Sequence, residues 1–151
     1  LTGLPPAEAT PVIQFAGLLG RSSPAGAEAL AAAGVAAHAG RAGEGARGLA
    51  EAVSGLEPEE RPALLAEAAR IADGAGEARV AADIRTRLVT EHPDAPEFAE
   101  ASLELARFHA RTSRGRAEAV RLLEELIASR PNAAVVPDAR VELERLRRTG
   151  S

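Results

Sequence analysis

Residues 24–58 read PAGAEALAAAGVAAHAGRAGEGARGLAEAVSGLEP, and the spacing inside this stretch decides the fold. Leu30, Ala33, Gly34 and Ala37 follow the i, i+3, i+4, i+7 pattern of a single helix face. After the glycine-rich break HAGRAGEG, Ala46, Leu49 and Val53 form a second such stripe, closed by Pro58. A break this short, between two helices of this length, leaves room only for an antiparallel helical hairpin. The apolar positions are mostly alanine and glycine, so the two axes are expected to approach closely.

The same unit recurs outward in both directions. Pro24, Pro58, Pro93 and Pro131 are separated by 34, 35 and 38 residues, close to the period of about 34 residues found in helix–turn–helix repeats. Twelve residues before these prolines stand Val12, Ala46, Ala81 and Ala119; nine before stand Phe15, Leu49, Ile84 and Leu122; five before stand Leu19, Val53, Leu88 and Leu126. These positions share one helix face, which each proline terminates. The leading helices repeat too, with Leu65, Ala68, Ala69 and Ala72 in the second copy. EFAEASLELARFHA and VVPDARVELERLRR match at an offset of 38 residues. Thr10-Pro11 and Ser23-Pro24 read as N-cap followed by N1 proline. No stretch alternates with period two. The sequence therefore predicts eight helices, near 11–20, 24–39, 43–55, 58–73, 75–91, 94–112, 115–130 and 134–148.

This pattern resembles the tetratricopeptide repeat (TPR) family. In that family the first helix carries a large apolar residue, a small pair and a further apolar position, and the second carries an alanine and ends in proline. Leu30, Ala33, Gly34, Ala37, Ala46, Ala50, Val53 and Pro58 take those places. So do Leu65, Ala68, Ala69, Ala72, Ala81, Leu88 and Pro93, with Arg85 where the family has an apolar residue. The third copy keeps Leu105, Ala106, Ala119, Leu123, Leu126 and Pro131 but adds one residue in its inner turn and three after Pro93. The junctions HPDAPEFAEA and RPNAAVVPDA are similar to those of bacterial cell-envelope TPR proteins. The resemblance implies an all-α, right-handed superhelical solenoid of antiparallel hairpins, with a concave groove lined by the first helices and a location in the periplasm or envelope. Its parts would be a linker or remnant of an upstream repeat at 1–10, a second helix of a partial repeat at 11–23, repeats at 24–58, 59–93 and 94–131, a terminal capping helix at 132–148 and a tail at 149–151. The opening helix, with Val12, Ile13, Phe15, Leu18 and Leu19, is apolar enough to want a neighbour. Further repeats upstream of Leu1, or self-association through Val12, Phe15 and Leu19, are expected to supply one.

Composition narrows the function. The 151 residues include 36 Ala and 18 Arg, and no Cys, Lys, Met, Trp or Tyr. Thiol catalysis, disulfides and cysteine-held metals are excluded, as is a phosphate loop of the GxxxxGK[ST] kind. His38, His92 and His109 form no HExxH or comparable metal signature, the serines lie in no GxSxG elbow, and no cofactor, metal or catalytic residue is expected. A net charge of −4 and the lack of stacking aromatics argue against nucleic acid. No apolar run is long enough for a membrane span.

Residues 1–106 hold 8 Arg against 16 acids and residues 107–151 hold 10 Arg against 6, so the C-terminal end is basic. On the repeat alignment Val35, Arg70, Arg107 and Arg145 share one groove-facing position, with apolar support from Val35, Leu103 and Val141. Two uses of the arginines stand open: binding carboxylates of a partner, or pairing with Glu67, Glu104 and Glu142 three residues earlier. The expected function is a non-catalytic scaffold that binds a peptide segment or protein surface in the groove, an acidic one where the arginines take its carboxylates. The alternative is an accessory TPR module of a larger enzyme or envelope assembly protein.

Overall fold

A computed structural model of the chain describes residues 6–149, and every regular element in it is helical. The order is α1 Pro6–Arg21, α2 Pro24–His38, α3 Ala42–Ala52 continued by a 3₁₀ turn at Val53–Gly55, α4 Arg61–Gly74, α5 Ala78–Glu91, α6 Phe98–His109, α7 Arg116–Ser129 and α8 Val136–Arg148. The eight predicted helices and the absence of strand are thus found among the described residues. Residues 1–5 of the predicted linker or repeat remnant and 150–151 of the predicted tail lie outside them. Four starts differ from expectation by three residues or more. Pro6 rather than Pro11 opens α1, where its missing N–H costs nothing. α4, α5 and α6 begin three or four residues late, at Arg61, Ala78 and Phe98, because the residues ahead of them are spent on turns.

The chain forms two compact units that divide inside α5, between Ile84 and Arg85. In the first unit α2 and α3 make a hairpin and α3 packs on α4. Leu30, Ala46, Leu49, Val53, Leu64, Leu65, Ala68, Ala69, Ala72 and Ala81 are buried at 0–2% exposure, and each buried leucine or valine contributes about 1.5–3 kcal/mol of hydrophobic stabilisation. Both inner turns of this unit end their first helix in the same way. Gly40 and Gly76 take φ of +77° and +75°, and the next N–H, of Arg41 or Glu77, donates back to Ala36 or Ala72. Only a residue without a Cβ enters that conformation at little cost, which is the usual glycine stop of a helix.

Ser23 caps α2 as the sequence predicts, its Oγ accepting from the N–H of Gly26 at 3.1 Å. The structure adds a partner that no local pattern announces. Glu60, in the turn before α4, accepts from the Ser23 N–H at 2.8 Å and from its Oγ–H at 2.7 Å. Arg61 closes the same turn by donating to the Leu56 carbonyl at 2.9 Å. The Ser23 backbone and hydroxyl bonds hold the Glu60 carboxyl below its ordinary range. A depressed carboxylate adds stability that is present above its unfolded pKa and is lost as pH falls through the folded one. Glu60→Gln is therefore expected to cost about 1 kcal/mol near neutral pH. That gap should close as melts are taken into acid below the ordinary carboxylate range; a gap constant with pH would show that the clasp does not act through the carboxylate.

In the second unit α6 pairs with α7 and α7 with α8, around Leu103, Leu105, Ala106, Ala119, Leu123, Leu126, Val136 and Ala139, all 5% exposed or less. The two similar junctions fold alike. Ala95 N–H bonds His92 O and Phe98 N–H bonds Ala95 O; 38 residues on, Ala133 bonds Arg130 and Val136 bonds Ala133. Two consecutive tight turns thus absorb the three additional residues, and each delivers a buried side chain, Phe98 or Val136, to the start of the next helix. Arg130 ties the first junction down: its guanidinium donates to the Pro93 carbonyl at 2.6 Å and lies 5.6 Å from the centre of the Phe98 ring. At the far end Arg116 donates to the carbonyl and Oγ1 of Thr149, both at 3.1 Å, and Arg147 to Glu124 at 2.7 Å.

Candidate functional site

The predicted groove residues divide between the units, Val35 and Arg70 in the first and Leu103, Arg107, Val141 and Arg145 in the second. Val35 on α2 and Val141 on α8 are 69% and 65% exposed. Branched aliphatic side chains left this open have surface to offer a partner. Leu103 does not. At 2% exposure it belongs to the core of the second unit, and its role as a groove contact is corrected accordingly.

The arginines all find acids. Arg70 pairs with Glu67, Arg107 with Glu104 at 2.7 Å and Arg145 with Glu142 at 2.6 Å, each across one helical turn. In the second unit the pairs join, since Arg107 Nε also lies 3.5 Å from Glu142 and links α6 to α8. The bond to Glu104, helped by the charge of Glu142, holds Arg107 firmly protonated. Each arginine thus makes the intrahelical pair that its spacing from the acid allows. Charge at this position is matched within the chain, so the surface presented is a chequered one and not a row of bare cations.

In the first unit the pairing is more deeply set. The Glu67 side chain is only 7% exposed, and burial pushes its carboxyl up while the Arg70 guanidinium pulls it back. Arg70 also donates to the Gln14 side-chain carbonyl of α1. That contact was not legible beforehand, because a glutamine in an exposed helical stretch carries no signal of its partner. It belongs to a wider arrangement: α1 lies against α2 and α4. Phe15 is half-buried, its ring placed where a Cβ on Gly34 would approach within 2.9 Å. Leu18 is 7% exposed. The opening helix therefore rests on the helices expected to line the groove. Of the three residues expected to mediate self-association, Val12 is 45% exposed, while Phe15 and Leu19 are half-buried.

The histidines do not gather. His38 is exposed, His92 lies 4.0 Å from Glu91, and His109 packs edge-on against Phe108 with ring centres 5.5 Å apart. Among the described residues no three His, Asp or Glu side chains converge as metal ligands would, and no helix is long and apolar enough to cross a membrane. Comparison of the chain with protein-family models, curated proteins and solved structures finds no match in any of the three.

Proposed function

We propose that this chain is a non-catalytic protein-interaction module, built of TPR-type helical hairpins that take a peptide segment or protein surface on their first helices, α2 and α4 in one unit and α6 and α8 in the other. The observation that carries the reading is the exposure of Val35 on α2 and of Val141 on α8, the latter one turn before Arg145, whose charge Glu142 already matches. Such a surface rewards an amphipathic partner: apolar side chains cover the valines, while polar ones use the remaining donors of the guanidinium groups. A uniformly acidic partner is the poorer fit, since it would compete with Glu67, Glu104 and Glu142 for the same arginines. The two like junctions 38 residues apart and the twin glycine stops support repeated hairpins as the scaffold.

The test is site-specific photo-crosslinking in the host cell, with a benzophenone side chain at Val35, at Val141 and, as a control, at exposed Arg79. One protein captured in common from positions 35 and 141, and not from 79, is the expected result. Capture that is equal at all three positions, or absent from the two valines, would remove the first-helix face as the binding surface.

A further inference from the structure

The first unit holds a helix on its first-helix face at three points. The Phe15 ring occupies the space that Gly34 leaves by having no side chain. Leu18, one turn on, is buried. One residue before the aromatic, the Gln14 amide oxygen accepts from Arg70. The outer side of the same helix leaves Ile13 56% and Val12 45% exposed, and only Ser22 and Ser23 connect it to α2. α1 is thus an amphipathic helix laid on a surface by an aromatic, an aliphatic and an amide, with the anchor spacing of helix-in-groove recognition.

We infer that the α2–α4 face is a docking site for an amphipathic helix of a partner protein, and that α1 is its internal occupant, displaced when that helix arrives. The inference rests on the reading of the chain as an interaction module and specifies its ligand. The partner helix carries an aromatic residue for the Gly34 slot, a leucine three positions later and an amide one position earlier. The amide follows from charge. Arg70 is already balanced by buried Glu67, so a neutral acceptor satisfies its remaining N–H groups without bringing a second carboxylate against the first. A tethered occupant competes at a high effective concentration, which sets a threshold that only a well-matched partner crosses.

The probe is a fluorescent peptide with the sequence of residues 6–21, PAEATPVIQFAGLLGR, added to the full-length chain and followed by anisotropy. Weak binding is expected to the wild type, and at least about tenfold tighter binding to the double variant Phe15→Ala/Leu18→Ala, whose own α1 has lost its anchors. Adding Gly34→Leu to that variant should abolish binding by filling the slot, and a peptide with Glu in place of its Gln should bind several-fold more weakly. Should the double variant not fold, hydrogen exchange on the wild type decides: saturating peptide must accelerate exchange of amides 12–21. Equal affinity for all chains, no binding to any, or unchanged exchange would overturn the inference. So would a wild-type dimer abolished by the double substitution, which would make a second copy the occupant. Loss of peptide binding alongside persistent crosslinks from Val141 would defeat the α1 inference alone. Absent crosslinks alongside peptide binding would defeat the wider reading.

Discussion

Replacing Gly45 by leucine is expected to unfold the first hairpin more readily than any exposed change on the molecule. Gly45 is buried in α3 where that helix crosses α2. A Cβ there would stand 2.8 Å from the backbone oxygen of Ala33 and 2.9 Å from the Ala36 Cβ. Neither neighbour is the far end of a flexible side chain. Relief therefore requires the two helices to separate, and a separation large enough for a leucine removes contacts along Leu30, Ala33, Ala46 and Leu49 together. Overpacking of a tight core costs about 1–3 kcal/mol and more where backbone must move, so about 3 kcal/mol is expected here. For a chain of this size that lowers the melting midpoint by roughly 6–12 °C. A thermal melt followed by circular dichroism checks it, with Gly48→Leu as the control, since nothing lies within 4 Å of a Cβ at that exposed position on the same helix. Equal midpoints for the two variants would show that α2 and α3 are not in close contact at Gly45.

Leu126→Ala is the corresponding loss in the second unit. Its side chain is 0% exposed and sits on α7, which packs against both α6 and α8. Truncation leaves a cavity beside a helix that packs on two others, and collapse around it would have to move them as well. Leucine-to-alanine changes at such sites cost about 2–5 kcal/mol. Urea unfolding of the variant should show a lower midpoint with an unchanged slope, because stability and not the exposed surface is altered. Hydrogen exchange should locate the loss in residues 98–148. A loss confined to α1–α4 would mean that the core of the second unit does not run through Leu126.

How much of this was legible in the chain follows from the range of each signal. Ser23 as a cap, Pro24 at the helix start and the junctions after Pro93 and Pro131 rest on side chains acting within a few residues, and their structures agree with the spacing. The arginines were half legible. Glu67, Glu104 and Glu142 stand three residues before them, so pairing within the helix was available from position alone; the bridge from Arg107 to Glu142 on another helix was not. Leu103 was misjudged because a position shared by alignment need not be shared in exposure. Ala31 and Ala66, which precede Val35 and Arg70 by the same four residues, are small, whereas a leucine there gains about 2 kcal/mol by turning into the core. Small residues told of a narrow seam without placing its tightest point, which is Gly45 and not Gly34.

The sequence by itself determined that the chain is helical, where its eight helices lie to within a few residues, and that they pair through alanine and glycine. Those properties follow from periodicity, capping and turn chemistry, which are local. Only the tertiary structure decided that Glu60 clasps Ser23 across 37 residues of chain, that Phe15 settles on Gly34, and that α1 lies over α2 and α4 with Gln14 on Arg70. An apolar helix face declares that it will be covered but not by what, because hydrophobic burial has no direction of its own. The choice of cover falls to shape and to the few polar groups left to be satisfied, and those are properties of the assembled surface.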